Sequence, residues 1–444
     1  MCPPLNRGRN LDRTPAPSPR RDSRRQPLLP ISLHFILAGF ILCGFAMVAV
    51  DPKTLPVVSD LAKRLKAHVD YLASPELAGR KPGTLGHRKA AAYIETRFQE
   101  AGLVPLASLH EYRQSISTAL GDNLLGVHPS APRDPASRWI VIGAHYDHLG
   151  GQYLGADDNA SAVAILIETA RSLPPLRAHR VLFAAFNTEE PPYIRTPLMG
   201  SQYFVDHLPP EIGVLSNVQA AIIMDLMGGA HWAPLQETVF AAGAEKSPGL
   251  YRRLKETASR ETFHVKHEAS RLTPDSSRLA VLPVGLHLVE EIPLLGRVAF
   301  SDYDAFRNAG VPFLFLSAGR TPRYHQPSDL PDTLHYERMA ATVRWLQAFL
   351  HMIDQDQEPY GFDADRLIFA DEVASLRPLI SLAADEQSKI PGTSALSLWK
   401  LKRDVEWLEQ VNPDKPSEDD IARLERVSIR LQCLLADFPG CFLL

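Results

Sequence analysis

Two adjacent glutamates, Glu189 and Glu190, stand just beyond the apolar run 181–186. A run rich in Val, Leu and Phe predicts a buried strand, and open α/β sheets place their chemistry beyond the carboxyl ends of strands. Adjacent side chains on extended backbone point in different directions, so one carboxylate could bind a cation while the other faces a substrate or a water. An isolated pair of glutamates is more typical of a solvated loop, so its interpretation depends on the rest of the chain.

Four further clusters of polar residues follow apolar runs or precede a helical pattern. They are His145-Tyr146-Asp147 after run 139–144, Asp157-Asp158-Asn159 before a helical pattern, Asp225 at the end of run 220–225, and Tyr324-His325 beyond run 311–316. Taken singly, each is a common surface or capping pattern. Taken together, they would meet at one edge of a parallel sheet, where converging histidines and carboxylates suit Zn²⁺.

The elements that must position these residues alternate along the chain. Strands are predicted at 139–144, 180–187, 220–226 and 311–316, and helices at 59–73, 84–101, 159–173 and 339–353. This alternation predicts an α/β fold of three layers, α/β/α, around a central sheet that is mostly parallel but mixed. Residues 55–355 would form this main domain. Residues 360–444 show helical stripes without catalytic clusters and predict a helical C-terminal extension.

Composition limits the classes of function. The chain has 444 residues, of which 45% are hydrophobic and 22% charged, as in a soluble globular protein. Residues 1–30 carry seven Arg and two Asp, a local charge of +5, so the rest of the chain must carry −9 to give the total of −4. A basic globular face is therefore not expected, and nucleic acid is excluded as a predicted partner.

Residues 31–50 contain no formally charged side chain. They follow residues 1–30, whose Pro-rich and Arg-rich composition predicts disorder. Twenty such residues can cross a bilayer as a helix, and the arginines before them would stay cytoplasmic. We expect a signal peptide or a membrane anchor, and hence an exported protein that is periplasmic or extracellular. Cys433 and Cys441 could then pair in an oxidising compartment or remain free thiols; the sequence leaves both open.

The ordered motifs resemble peptidase family M28, the zinc exopeptidases with two co-catalytic metal ions. The matching stretches run from about residue 60 to 352 and read GRKPGT, VIGAHYDHLG, GADDNASAVA, FNTEEPPY with MGSQYF, IIMDLMG, FSDYDAF and YHQPSDLPDTL. The resemblance implies a catalytic domain over 55–355 and an aminopeptidase that acts on peptides with a free N-terminus. Two zinc ions per chain would activate the attacking water.

The resemblance also assigns roles by position. His145 and Asp225 would hold one zinc ion, Glu190 and His325 would hold the other, and Asp158 would bridge them. Glu189 would act as general base, and Asp147 would orient His145 from behind. His148, although close to His145, is not expected to be a ligand. The family often has Ser-Asp-His where this chain has Ser301-Asp302-Tyr303, which leaves the metal ligands intact.

Other functions stay open at this stage. A glutaminyl cyclase would use one zinc ion, held by Asp158, Glu190 and His325. A carboxypeptidase would need arginines for a terminal carboxylate, and only Arg320 and Arg323 lie near His325 in the sequence. A non-catalytic binding module on the same scaffold is the third alternative. The sequence does not decide the side-chain specificity or the oligomeric state.

Overall fold

The apolar runs around the candidate ligands become the centre of a single sheet. The computed structural model describes residues 58–435, apart from residues 131, 133, 135, 261–278, 293–295, 299 and 390–393. The predicted N-terminal segments, 1–30 and 31–50, and the possible pairing of Cys433 with Cys441 lie outside the described residues. Among the helices that the structure describes, none has the length and apolar character needed to cross a bilayer.

The strands are β1 Val104–Pro105, β2 Arg113–Ser117, β3 Gly121–Val127, β4 Trp139–His145, β5 Arg180–Phe186, β6 Val218–Met224, β7 Thr238–Ala242, β8 Ala280–Val284, β9 Glu291–Ile292, β10 Gly296–Arg297 and β11 Phe313–Ser317. The helices are α1 Asp60–Leu72, α2 Leu85–Glu100, α3 Ala162–Ser172, α4 Gly200–Asp206, α5 Pro248–Arg260, α6 Leu286–Glu290, α7 Tyr303–Asn308, α8 Tyr336–Ile353, α9 Phe369–Ser388, α10 Ala395–Gln410 and α11 Glu418–Leu435. Short 3₁₀ turns lie at Pro75–Arg80, Leu215–Asn217, Ala233–Leu235, Ala244–Lys246 and Pro331–Thr333.

The main sheet runs in the order β1-β3-β5-β4-β6-β11-β7-β8, with β2 also paired to β3. Its four central strands, β5, β4, β6 and β11, are parallel to one another. Antiparallel pairs join β3 to β5 and β11 to β7. The sheet is therefore mixed with a parallel centre, as predicted, and the carboxyl ends of the four central strands meet at one edge.

Helices cover both faces of the sheet. Successive side chains of a strand point to opposite faces, so a strand that is apolar throughout needs a covering layer on each face. In β4, Ile140 and Ile142 pack into the core formed with α1, α2, α3, α5 and α8. Trp139 and Val141 point to the opposite face, where they join residues of α4, α6 and α7. Because both faces are buried, these strands are apolar throughout, and the three-layer α/β/α prediction is confirmed.

Two of the helices, α1 and α2, begin one residue after the start of their predicted ranges. Ser59 accepts a hydrogen bond from the N–H of Ala62 at 3.2 Å and caps α1, and Thr84 caps α2 through the N–H of His87. The helix predicted at 159–173 begins later, at Ala162. Residues Ala156–Ser161 form an irregular turn in which Asp158 has φ −104° and ψ 92°. This turn breaks the helical period, and it brings the Asp158 carboxylate to the strand ends.

The predicted C-terminal helices also form. Helices α9, α10 and α11 share an apolar cluster with Trp232, Leu235 and Leu288 of the preceding part of the chain. The described residues belong to one compact unit, Thr54–Leu444. The domain boundary expected near residue 355 remains a prediction.

Candidate metal centre

The predicted ligands lie where the central strands end. His145 is the last residue of β4 and stands beside Phe186, the last residue of β5, in the parallel register. Glu189 and Glu190 follow β5, and Asp225 comes directly after β6. Because these strands are parallel neighbours, their carboxyl ends bring the side chains together. The loop after β11 supplies the remaining histidine, His325.

The first group of ligand atoms joins three buried side chains. His145 Nε2 lies 3.4 Å from Asp158 Oδ1 and 3.5 Å from Asp225 Oδ1. A tetrahedral zinc ion with bonds of about 2.0–2.2 Å requires ligand atoms that lie roughly 3.3–3.6 Å apart. The three atoms therefore already have the spacing of a zinc site.

The second group uses the other oxygen of the same aspartate. His325 Nε2 lies 3.1 Å from Asp158 Oδ2 and 3.2 Å from Glu190 Oε2. These separations lie slightly below the range for a tetrahedral ion, so a small outward shift of the side chains would accommodate one. Asp158 thus offers one oxygen to each group, which is the arrangement that a bridging carboxylate requires.

Buried polar atoms without partners mark the space between these side chains. Within the described residues, four atoms of the two groups are buried yet have no hydrogen-bond partner: His145 Nε2, Asp158 Oδ2, Asp225 Oδ1 and His325 Nε2. Leaving such atoms unpaired away from water is costly. Metal ions would satisfy all four, so the donor set fits the zinc ions that the sequence implies.

The electrostatics of the cluster show why it needs positive charge. Burial, together with the charges of Asp225 and Glu190, raises the pKa of Glu189 well above its usual value. Burial also raises the pKa of Asp225. For His325, burial works to lower the pKa, but its contacts with Asp158 and Glu190 outweigh burial and raise it to about 10. The metal-free cluster therefore retains protons, and metal binding must release them.

Comparison with known proteins agrees with the geometry. The model of peptidase family M28 matches residues 123–350, which contain every predicted ligand. The chain belongs to peptidase family M28. This membership supports a metal-dependent exopeptidase, in agreement with the resemblance seen in the motifs.

Individual relatives of this M28 peptidase are distant. It is 25% identical to aminopeptidase YwaD of Bacillus subtilis over 276 residues, which are 60% of this chain and 50% of YwaD. It is 27% identical to the uncharacterized protein YfbL of Escherichia coli over 216 residues, 46% of this chain and 64% of YfbL. The chain thus spans between half and two thirds of these relatives. LapB of Legionella pneumophila shares the fold, with a TM-score of 0.50 and 22% identity, covering 66% of this chain and 72% of LapB.

The base expected in this M28 peptidase lies outside both groups. Glu189 Oε2 is 3.8 Å from His145 Nε2, and the side chain is buried beside the ligands without joining either set. The loop that follows turns immediately away from the sheet, beginning with Pro191-Pro192. The structure therefore places Glu190 in one candidate ligand group and Glu189 beside it.

Asp147 has a broader role than the sequence suggests. Its carboxylate lies 3.7 Å from His145 Nδ1, while the shorter contact of that nitrogen, 3.3 Å, is to the backbone carbonyl of Asp147. The two carboxylate oxygens accept the backbone N–H groups of Glu189 and Glu190 at 3.1 and 3.2 Å. Asp147 therefore orients His145 and also holds the backbone of the glutamate pair in place.

His148, which was not expected to be a ligand, lies within the centre. Its side chain is fully buried, and its Nδ1 lies 2.6 Å from Glu190 Oε1. With Asp158 and Glu190 it forms a group of atoms close enough to surround a cation. Sequence reasoning set it aside because ligands were assigned by the family's order. The available signal was its position three residues after His145, in the same short loop.

Arg80 is the second residue that sequence reasoning missed. Its guanidinium is fully buried, and its partners among the described residues are backbone carbonyls: Leu72 at 2.6 Å, Tyr146 at 2.9 Å, Leu154 at 2.6 Å, Gly155 at 2.8 Å and Asp158 at 3.4 Å. Burial lowers its pKa to about 10, so it remains charged at neutral pH. Arg80 thus ties the loop of Asp158 to the end of β4 and places a positive charge behind the acidic cluster.

The loops of the centre are also held by two carboxylates that are not ligands. Asp329 accepts the N–H groups of Asp157 and Asp158 at 2.9 and 3.1 Å. Asp157 in turn accepts the N–H groups of Gly228 and Gly229 at 2.6 and 3.0 Å. The loops after β4, β6 and β11 are therefore linked to one another, which fixes Asp158 between the two ligand groups.

The departure at residues 301–303 leaves the centre intact. Tyr303 is fully buried and stacks on Phe313 with ring centroids 5.6 Å apart, so it is a core residue of the face opposite α3. Asp302 is fully buried near the ligands, and burial raises its pKa to about 7. Asp302 therefore adds a further acidic group close to His145 without belonging to either ligand group.

Proposed function

We propose that this M28 peptidase is an aminopeptidase that removes N-terminal residues from peptides with the help of two zinc ions. The observation that carries the proposal is the position of Asp158, whose Oδ1 faces His145 while its Oδ2 faces His325. A carboxylate shared in this way suits two ions about 3.5–4 Å apart. The relative YwaD is named an aminopeptidase, which supports the same class.

The ions, when bound, would lower the pKa of a water molecule and polarise the scissile carbonyl. Glu189 is placed to take the proton from the attacking water, because it lies beside both ligand groups and belongs to neither. It can then pass this proton to the leaving amine.

Metal content and substrate range together test the proposal. We expect two zinc ions per chain by elemental analysis, cleavage of aminoacyl substrates with a free N-terminus, and loss of cleavage with a chelator. A folded sample that holds two zinc ions but cleaves no member of a broad aminoacyl panel would contradict the aminopeptidase. Substrates with a blocked N-terminus serve as controls, and they should not be cleaved.

A glutaminyl cyclase with one zinc ion is the second candidate. It is favoured by one observation: Asp158, Glu190 and His325 form a complete ligand group on their own. His145 and Asp225, which also have ligand spacing with Asp158, favour the two-metal enzyme instead. One metal ion per chain and cyclisation of a peptide with N-terminal glutamine would establish the cyclase.

A carboxypeptidase would use the two arginines near His325. The Arg320 guanidinium lies over the Tyr324 ring, 4.0 Å from its centroid, and this ring stacks on His325 with centroids 3.8 Å apart. Arg320 thus stands at the rim of the centre, but no contact directs it into either ligand group. Peptides with a blocked N-terminus and a free carboxylate test this alternative, since only a carboxypeptidase would cleave them.

We also propose that the protein is exported, with residues 31–50 as a signal peptide or an anchor. The support is the apolar run and the arginines before it. Cell fractionation and the N-terminal sequence of the mature protein test this point. A mature chain that begins after residue 43 indicates cleavage, whereas an intact N-terminus in the membrane fraction indicates an anchor.

A further inference from the structure

His148 is a fully buried residue of the metal centre to which the predicted mechanism gives no role. It lies between the glutamate loop and the loop of Asp158. Its Nδ1 is 2.6 Å from Glu190 Oε1 and 3.8 Å from Asp158 Oδ2. These distances allow two interpretations, a third nitrogen ligand or a hydrogen-bond donor to Glu190.

The distances favour the donor. Two ligand atoms on one tetrahedral zinc ion lie roughly 3.3 Å apart or more, whereas 2.6 Å is the length of a strong hydrogen bond to a carboxylate. The other oxygen of Glu190, Oε2, faces His325 Nε2 at 3.2 Å, which is much closer to the spacing of two ligands than 2.6 Å is. Glu190 thus directs one oxygen to the metal position and the other to His148.

The ring of His148 is held rigidly in this orientation. Gly155, with φ +61°, packs its backbone against the ring, and a Cβ at this position would lie 2.6 Å from the ring carbons. His325 meets the ring edge to face with centroids 5.8 Å apart. The backbone N–H of His148 donates to the carbonyl of Arg80 at 3.4 Å. The loops on both sides therefore leave room for the imidazole in one position.

The protonation of the ring follows from its contacts. Nε2 is buried and has no hydrogen-bond partner among the described residues, while Nδ1 faces a carboxylate oxygen. An unpaired acceptor is tolerated better than an unpaired N–H. The ring is therefore the tautomer with its proton on Nδ1, the nitrogen that faces Glu190 Oε1.

We propose that His148 is a positioning residue that binds Glu190 Oε1 and so restricts Glu190 to a single oxygen ligand for the second metal ion. Glu190 would otherwise be free to rotate or to offer both oxygens. The hydrogen bond leaves Oε2, Asp158 Oδ2 and His325 Nε2 as three ligand atoms with one position open for substrate or water. The inference rests on the metal centre of the proposed function, but on one of its two ligand groups only.

Two isosteric substitutions test the hydrogen bond. His148→Asn keeps an N–H donor near the position of Nδ1, whereas His148→Leu has the same shape without a donor. Both side chains have four heavy atoms with the same branching, so the main difference between them is the hydrogen-bond donor. We expect about 10–100-fold weaker binding of the second zinc ion in the Leu variant than in the Asn variant, measured by competition with a chromophoric chelator. The first zinc ion should bind equally in both.

Cobalt substitution and the wild-type protein provide independent readouts. The visible spectrum of Co²⁺ at the second position should change in the Leu variant and stay close to wild type in the Asn variant. In the unmutated zinc protein, ¹⁵N spectra should show His148 as the Nδ1–H tautomer. Equal metal binding and equal spectra in both variants, or a proton on Nε2, would overturn the inference. A wild-type chain that binds a single zinc ion, at the group of Asp158, Glu190 and His325, would refute the two-metal function. The Asn and Leu variants would then decide the inference at that one ion.

Discussion

At the scale of single residues, adjacency in sequence does not give Glu189 and Glu190 the same task. Strand β5 ends at Phe186, and Asp147 then holds both backbone N–H groups. With the backbone fixed, Glu190 points to His325 and Glu189 lies 3.8 Å from His145. The candidate ligand and the candidate base thus have different neighbours because their side chains leave the same fixed backbone segment in different directions.

This separation predicts different consequences for two matched variants. Glu189→Gln should lower kcat by about 10²–10⁴-fold while both metal ions remain bound, because it removes the proton acceptor and no ligand. Glu190→Gln should lose one metal ion. Elemental analysis and steady-state kinetics on both variants check this. If Glu189→Gln lost a metal ion and Glu190→Gln kept both, the assignments of base and ligand would be reversed.

The gathering of the candidate ligands could be predicted from the sequence because each stands at the end of an apolar run or in a motif with a fixed order. The residues behind them could not. Arg80 and His148 act through backbone carbonyls and through a single carboxylate oxygen, respectively. Such contacts depend on how loops approach one another in space. A sequence without a spatial model gives no distance between residue 80 and residue 158.

At the scale of elements, the central strands were predicted and the flanking strands were missed. The four predicted strands begin and end within two residues of β4, β5, β6 and β11. Strand β3 begins with Gly121, Asp122 and Asn123, residue types that are depleted in strands. Asn123 is nevertheless buried, because its amide donates to Gln114 and to the carbonyl of Gly200. Tertiary hydrogen bonds therefore override the local preference, and the pattern alone cannot show them.

Packing of α1 against α3 depends on a buried carboxylate. Glu168 of α3 contacts Arg64 at 2.8 Å and His68 at 3.2 Å, both on α1. Burial works to raise its pKa, but the hydrogen bonds from His68 and Arg64 outweigh burial and lower it to about 2. A pKa below that of the unfolded chain means that the ionised carboxylate stabilises the folded state above pH of about 4.3.

The variant Glu168→Gln should therefore be less stable than wild type at pH 6, by on the order of 3 kcal/mol. The difference should shrink as the pH falls from about 4.3 toward 2, because wild type then loses the same charge. Urea unfolding of the metal-free proteins at several pH values measures it. Glu100→Gln, at an exposed position of α2, is the control and should show little difference. A gap that stayed constant down to pH 2 would contradict the assigned contacts.

At the scale of the whole molecule, the C-terminal helices pack against the edge strand β8 of the main sheet. Strand β8 is an edge strand and contains Pro283, a residue that sheets tolerate at edges. Ser375 of α9 donates to the carbonyl of Pro283, and Ser428 of α11 donates to the carbonyl of Leu288. The described part of the extension therefore packs against β8 and α6. Covered edges avoid pairing with other chains.

The sequence predicted that this extension is helical, but it left open where the extension packs. The apolar stripes of its helices identify a buried face without identifying its partner. The structure identifies that partner as a surface that includes Trp232, Leu235 and Leu288. These residues come from loops and short helices between strands, where no periodic pattern marks a buried surface. Local sequence patterns therefore could not predict where the extension packs.

A buried ion pair within the extension tests whether it folds together with the metal centre. Arg430 of α11 binds both carboxylate oxygens of Asp404 of α10, at 2.7 and 2.5 Å, and both residues are buried. Arg430→Met would leave Asp404 as an unpaired buried charge, which should cost about 3–5 kcal/mol. Arg426→Met, on the exposed side of the same helix, should change stability by about 0.5 kcal/mol or less.

If the extension and the sheet form one cooperative unit, Arg430→Met should unfold in a single transition with a lower midpoint temperature than wild type. Zinc should be released at the same lowered temperature. Calorimetry with a zinc-sensitive dye measures both in one experiment. The reason is that side chains of α9 and α11 donate hydrogen bonds to carbonyls of β8 and α6. Loss of the extension would therefore expose the apolar cluster around Leu288. An early transition of the extension with zinc still bound would instead show that residues 360–444 are an independent domain.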